Sequence, residues 1–456
     1  MSTDDGLQAA IAKMRADGVS EVAIGTFEDN YRRLRDGETG MVPESTIEPL
    51  DSPALDTAAH SDEDGTRALD RTVVVKLNGG LATSMGMDRA KSLLEVKDGL
   101  SFLDIIVRQV LSLRRRHGVR LPLMFMDSYR TREDTLAALG AYPDIAGDLP
   151  LDFLQTKEPK LLLEDLTPVS WPPDPSLEWC PPGHGDIYGV LHSTGLLDRM
   201  IEQGYTQLFV SNADNLGAVP APEVAAWFAG SGAPFAIESV RRTPSDRKGG
   251  HFARRTSDGR IVLRETAQTL PEDKAALADL DRHRFASTNN IWIDLAALRE
   301  ALQAREGRLR LPFIRNVKNV DPTDSASPEV VQLETAMGSA IEVFDGAATV
   351  AVGRNRFVPV KTTDDLLVLR SDCYVLDEEF VLHRTSDALP FVELGKAYKF
   401  VGPFAERFPD GPPSLRDATA LRVPGDWTFG AGVTVVGDVT VEGDGGEIPP
   451  GTVLKG

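Results

Sequence analysis

From Arg71 onward the chain alternates stretches that read as strands with stretches that read as helices. Val73 to Val75 form a short β-branched run. SFLDIIVRQVLSLRRRHG then reads as a helix, VRLPLMFM as a strand, TREDTLAAL as a helix, LDFLQ as a strand, IYGVLHSTGLLDRMIEQG as a helix and YTQLFVSNADN as a strand. Such alternation predicts an α/β fold with a doubly wound sheet. Ligands of open α/β sheets sit beyond the carboxyl ends of the strands, so the turns at Asn78, Gln155 and Asn212 are expected on one rim.

With 456 residues, 41% of them apolar and 26% charged, the chain is long enough for two or three globular domains. No apolar run approaches the length needed to span a membrane. The start, MSTDDGLQAA, carries acid where a secretory signal needs basic residues, and a cytoplasmic location is expected. Lysine and arginine total 49 against 69 acids, a formal charge of −20, which disfavours nucleic acid and anionic membranes as partners. An anionic ligand would need a locally built site. Cys180 and Cys373 are too few for a disulfide framework and read as free thiols, and the seven histidines lack metal-ligand spacing.

Leu7, Ile11 and Met14 fall at helical spacing and predict an N-terminal amphipathic helix. Ser45 to Asp70 is polar, acidic and poor in aromatics, and reads as a mobile linker. The expected division is therefore 1–70 as a helical segment with an acidic linker, 71–390 as the main domain and 391–456 as a small β domain. Near Lys248-Gly249-Gly250 the pattern changes to paired strands, HFARR and RIVLRE, with Asp258-Gly259 as the turn. Beyond Val423, Phe429, Val435 and Val441 recur every six residues, and Ile448 and Leu454 repeat the interval one residue out of phase. That repeat predicts a small parallel β-helix, with a pair of hairpins as the alternative.

Four places could carry chemistry. Gly79-Gly80 follows the Val73 strand with a backbone able to meet an anion, and Lys91 could supply a countercharge. The loop is neither a Walker loop, since Ala90 precedes Lys91, nor a dinucleotide fingerprint, since GxGxxG is absent. Ala82-Thr83-Ser84-Met85-Gly86 only faintly resembles a nucleophile elbow, and Ser84 lies beyond the strand end. Asp214, at a strand end, could hold Mg²⁺ against phosphates or simply cap a turn. In Pro181-Pro182-Gly183-His184-Gly185-Asp186 a single histidine lies between glycines, and the plainer reading is a rigid loop in which Asp186 caps the next helix. Lys361, alone, reads as a surface charge.

Taken together and in order, KLNGGLATSMGMDRAKSLLEV, PPGHGDIY, FVSNADNLGA, KGG, TNNIW, QLETAMGSAI and RFVPVKTTDDLL resemble the eukaryotic-type UTP–glucose-1-phosphate uridylyltransferases. The resemblance runs from about Arg71 to the C-terminus. It implies a glycosyltransferase-A-like nucleotide-binding mixed sheet, a C-terminal left-handed parallel β-helix, and Mg²⁺-dependent transfer of UMP from UTP to glucose 1-phosphate. The attack would be direct and in line, with no covalent intermediate. It also implies roles. Leu77, Asn78, Gly79 and Gly80 would lie against the nucleotide, and Lys91 would neutralise the pyrophosphate portion of UTP. Gln155 would read uracil, with Gly183 beside the base and His184 near the sugar phosphate. Asn212 would contact the ligand and Asp214 would hold the magnesium. Gly250, Glu265 and Asn289 would bind glucose, and Lys361 would bridge the reacting phosphates.

Ala82 stands where the family usually has glycine. The chain stops at Gly456, where animal and fungal members continue with a segment used in end-to-end assembly, so a monomer or dimer is expected in preference to an octamer. Alternatives are a pyrophosphorylase for another hexose 1-phosphate such as galactose 1-phosphate, or a catalytically silent sugar-nucleotide sensor or scaffold.

Overall fold

The computed structural model describes residues 3–56, 59–247 and 249–456. The chain forms two compact units, each assembled from three segments. One comprises residues up to Val75, Phe153–Val210 and Ala221–Val352; the other comprises Lys76–Asp152, Ser211–Pro220 and Gly353–Gly456.

In the first unit the N-terminal helix forms as its spacing predicts, over Thr3–Ala16, and a second follows over Glu21–Arg35. Leu7, Ile11 and Met14 bury against Ile24, Phe27 and Tyr31 of the second helix and against Leu161. The sheet of this unit places strand Phe235–Arg241 beside Ala348–Ala351, parallel to it, and beside Phe285–Asp294, antiparallel to it. Phe285–Asp294 is also antiparallel to Gln207–Asn212. The sheet is therefore mixed and not uniformly doubly wound. A parallel neighbour needs a crossover, usually a helix. Here a hairpin and short helical turns lead into Phe285, and the strand runs the other way.

That hairpin is the expected one. Strand His251–Arg255 pairs antiparallel with Ile261–Arg264, and a loop of Thr256 to Gly259 joins them, with Gly259 at a φ of +72°. Lys248 lies outside the described residues.

The segment read as a mobile linker is a correction. Ile47–Pro49 adds a third strand to the hairpin, and Asp62–Asp70 is a helix whose Ser61 and Asp64 form a reciprocal capping box. Ile47, Leu50, Ala68 and Leu69 are all buried. Acidic composition hid four apolar residues whose partners are distant in sequence. Thr57 and Ala58 lie outside the described residues. The helix expected over Ile187 to Gly204 is two, Ile187–Ser193 and Leu196–Glu202, broken where Gly195 takes a φ of +72°.

In the second unit, helix Phe102–His117 opens on a Ser101–Asp104 capping box and closes on Gly118 at a φ of +65°. Strand Leu123–Asp127 and helix Arg132–Leu139 follow. Toward the C-terminus, strands Phe391–Leu394, Ser414–Val423, Thr434–Thr440 and Val453–Lys455 pair in that order, each parallel to the next. Asp426–Phe429 is parallel to Gly445–Ile448. Hairpins pair antiparallel, so the alternative of two hairpins falls. Phe429, Val435, Val441 and Ile448 are buried at their six- and seven-residue intervals. Among the described residues no helix is long and apolar enough to cross a membrane.

Candidate functional site

In the second unit the chain leaves strand Thr72–Asn78 into Gly79-Gly80. The Asn78 side chain is buried and donates to Asp127 Oδ1 at 2.7 Å and to Thr135 Oγ1 at 2.9 Å. Its amide is thus spent inside the protein, and what Leu77 to Gly80 can offer a ligand is chiefly backbone. A Cβ added at Gly80 would meet nothing within 4 Å, so no neighbouring protein atom demands glycine there. The loop that follows closes on itself through a Leu81–Ala90 bridge, and the Lys91 N–H donates to the Gly80 carbonyl at 3.2 Å. This returns Lys91 to the strand end.

Ala213 N–H donates to the Leu77 carbonyl, which sets the turn after Asn212 alongside the one after Asn78, as the rim expectation requires of these two. Asn212 is half-buried. Lys91 Nζ donates to Asp214 Oδ2 at 2.7 Å and to the Val360 carbonyl at 2.5 Å. The same turn is stitched to the segment before Lys361. Asn215 Nδ2 donates to the Arg356 carbonyl at 3.1 Å, and Asn215 Oδ1 accepts from the Val358 N–H at 2.8 Å. Lys361 itself is exposed, and its backbone N–H donates to Asp365 Oδ2 at 2.7 Å, where Thr362 and Asp365 cap helix Thr363–Arg370. Lys91 and Asp214, far apart in sequence, thus meet at Val360, whose next residue is Lys361.

Among the described residues no group of three His, Cys, Asp or Glu could hold a metal. Mg²⁺ needs no such cluster when substrate phosphates complete its shell, and one accessible carboxylate suffices. The Asp214 side chain is 21% exposed and supplies the required hard oxygen, so the residues fit a nucleotide-borne magnesium.

In the first unit Gln155 Nε2 donates to the Gly183 carbonyl at 3.0 Å. Gly183 has a φ of +82°, and a Cβ there would lie 2.4 Å from the Thr335 carbonyl oxygen, so only glycine fits. His184 Nδ1 accepts from the Met337 N–H at 2.9 Å. Burial pushes the imidazole down to about 4, so the ring is neutral with its proton on Nε2, a donor. Gly338, next to Met337, packs on Leu263 and lies near the Asn289 Oδ1. Asn289 takes a φ of +59° beside a register shift opposite Ile237 to Ser239. Glu265 is half-buried, and a Cβ on Gly250 would touch its carboxylate at 2.5 Å. Gln155, Gly183 and His184 therefore lie together and reach Asn289 through Met337 and Gly338, while Glu265 and Gly250 touch each other.

Three acids lie behind the site residues; Glu238 and Asp127 escaped the sequence reading, and Asp186 was read only as a helix cap. Glu238, fully buried, accepts from Asn290 Nδ2 at 3.0 Å and Trp292 Nε1 at 2.9 Å, holding the strand that presents Asn289. Asp127 holds Asn78, and Asp186 holds the Gln155 segment. The available signal was an acid inside an apolar run, as in FAIESV and LMFMD. Asp186 is not the helix cap that its position suggested. Its backbone is already helical and its side chain makes no capping bond. Burial pushes its carboxyl up to about 6.

Fold and side chains together define an α/β protein with one group of residues suited to phosphate charge and another suited to polar rings and hydroxyls. The family model described as UTP–glucose-1-phosphate uridylyltransferase matches residues 25–436. The curated protein of that name from Hordeum vulgare is 36% identical, with 99% of this chain and 95% of that one covered, and the one from Solanum tuberosum is 36% identical over 99% and 94%. Among solved structures, the L281D mutant of UDP-glucose pyrophosphorylase from Leishmania major in complex with UDP-glucose superposes with a TM-score of 0.93 at 42% identity, covering 100% of this chain and 99% of that one. The Trypanosoma brucei UDP-glucose phosphorylase does so with a TM-score of 0.92 at 40% identity, covering 99% and 98%. The chain belongs to the UTP–glucose-1-phosphate uridylyltransferase family.

Proposed function

We propose that the protein transfers UMP from UTP to glucose 1-phosphate, forming UDP-glucose and pyrophosphate, reversibly and with Mg²⁺. Family membership supports the reaction. The observation that carries the assignment of residues is the contact of Lys91 with both Asp214 and the Val360 carbonyl, beside Lys361.

A phosphate oxygen of the sugar attacks the α-phosphorus, and the bond to pyrophosphate breaks. The attacking group is already ionised, so no protein nucleophile or general base is required. The protein must hold two polyanions in line and spread the growing charge. Lys91 meets the leaving pyrophosphate and Lys361 the phosphates that react, each as a mobile point charge. Asp214 would hold magnesium, which would supply neutralisation of phosphate charge when bound. Gln155 offers uracil an amide already held by the Gly183 carbonyl. The His184 Nε2–H donates toward the sugar-phosphate end, and Glu265 and Asn289 take glucose hydroxyls. The mixed sheet supports a glycosyltransferase-A-like reading, and the parallel pairing after Phe391 supports a β-helix, for which the family resemblance implies the left hand.

The test is pyrophosphate release with UTP and other nucleoside triphosphates, each offered with glucose 1-phosphate and its deoxy analogues. UTP and glucose 1-phosphate should be preferred. Asp214→Asn should lower turnover roughly a hundredfold or more, the scale of losing one electrostatic stabiliser. A folded Asp214→Asn protein turning over at the native rate would remove Asp214 from the site.

A further inference from the structure

Two consecutive residues, Gln155 and Thr156, hold the loop Gly183 to Asp186 by separate means. Gln155 reaches it with its side-chain amide, on the Gly183 carbonyl. Thr156 reaches it through Asp186: its backbone N–H donates to Asp186 Oδ2 at 2.6 Å, and its hydroxyl lies 2.9 Å from both carboxylate oxygens. The back of the loop is fixed independently. The Thr335 N–H donates to the Pro182 carbonyl at 2.9 Å, and a Cβ on Gly185 would lie 2.5 Å from the Thr335 hydroxyl. The loop is thus clamped between Thr335 on one side and Thr156 on the other.

We infer that Asp186 is a positioning residue for base selection: its carboxylate, turned away from its own helix and bonded to Thr156, fixes the register of Gln155 against Gly183. The inference rests on the reading of Gln155 as the residue that meets uracil. An amide discriminates bases only if its donor and acceptor stand at set positions. Gln155 follows strand Asp152–Leu154, and the single neutral hydrogen bond from its side chain to Gly183 is a weak restraint. The bonds from Thr156 to a carboxylate are charge-assisted and short, and they hold the adjacent backbone. Asp186 touches no substrate in this account. It acts through Thr156 and Gln155.

The experiment is steady-state kinetics of Asp186→Ala, Asp186→Asn, Thr156→Val, Thr156→Ser and Gln155→Ala with UTP and with CTP, alongside thermal melts. Asp186→Ala should raise KM for UTP roughly ten- to a hundredfold, the value of hydrogen bonds to a charged group. It should lower the preference for UTP over CTP while kcat stays within about threefold and KM for glucose 1-phosphate holds, since uniform binding is what is lost. Asp186→Asn, which keeps an acceptor, should recover part of the loss. Thr156→Ser should behave as the native protein, and Thr156→Val should raise KM for UTP several-fold; this pair decides the matter should Asp186→Ala fail to fold. Unchanged base preference in folded Asp186→Ala, or in Thr156→Val, with Gln155→Ala impaired, overturns the positioning role and leaves the base reading intact. Native behaviour in Gln155→Ala as well overturns both.

Discussion

Asp127 lies fully buried with one carboxylate oxygen accepting from Asn78, Thr131 and Thr135 and the other without a partner. Burial pushes its carboxyl up to about 6, and the charge of Asp152, itself bonded to Arg132, adds to the rise. A carboxyl raised from an ordinary value of 3.8 binds its proton more tightly in the folded state. Its contribution to stability is therefore whole below about pH 4 and lost as pH rises through about 6. The melting temperature of Asp127→Asn should accordingly gain on the native protein as pH is raised over that window, read from paired thermal melts. A gap that narrows with rising pH would contradict it. Two glycines give a contrasting pair. Gly183→Ala places a side chain at positive φ and against Thr335, and should cost at least about 1–2 kcal/mol of stability and weaken UTP binding. Gly80→Ala has open space and no such φ; it should melt like the native protein yet bind UTP more weakly, because a methyl would then stand where the proposed site has the nucleotide meet the backbone. Both glycines stood out in the sequence beside candidate ligand groups. Only the neighbouring atoms show that the fold requires one and not the other.

Elements whose signals are local were legible. Helix Phe102–His117 carries its start in Ser101 and Asp104 and its stop in Gly118, all within reach of the backbone groups they satisfy. Ser101→Ala should cost about 1 kcal/mol by denaturant titration and leave both KM values unchanged. The six-residue repeat was legible for a related reason: stacked parallel strands bring equivalent positions onto one interior line. Phe429 is fully buried, with the Phe408 ring centroid 5.0 Å away. Phe429→Ala should cost about 3–5 kcal/mol, seen as faster hydrogen exchange in strands from Ser414 to Ile448. Elements with distant partners were not legible. Ile47–Pro49 is a strand because His251–Arg255 offers an edge, and nothing within the acidic segment around it announces that.

For the molecule as a whole, a ligand that binds only the folded protein stabilises it, by about 2.7 kcal/mol at a hundred times its Kd. UDP-glucose should raise the melting temperature by several degrees, and Gln155→Ala and Lys91→Ala should each diminish that shift at fixed ligand concentration. Equal shifts in all three proteins would mean that UDP-glucose is held by other residues. Boundaries drawn from composition, at 70 and 390, follow the chain, whereas the compact units recruit three segments apiece. By itself the sequence determined the residue types at each strand end, the order of most helices and strands, and the repeat near the C-terminus, because turns, caps and periodicity act over a few residues of backbone. Tertiary structure alone decided that Phe285–Asp294 runs against its neighbours, that Lys91 meets Asp214 and Val360, and that Asp186 serves Thr156 and not its own helix. Each of these is a pairing across many residues, chosen by which buried donor or acceptor would otherwise be left unsatisfied, and no local pattern encodes that choice.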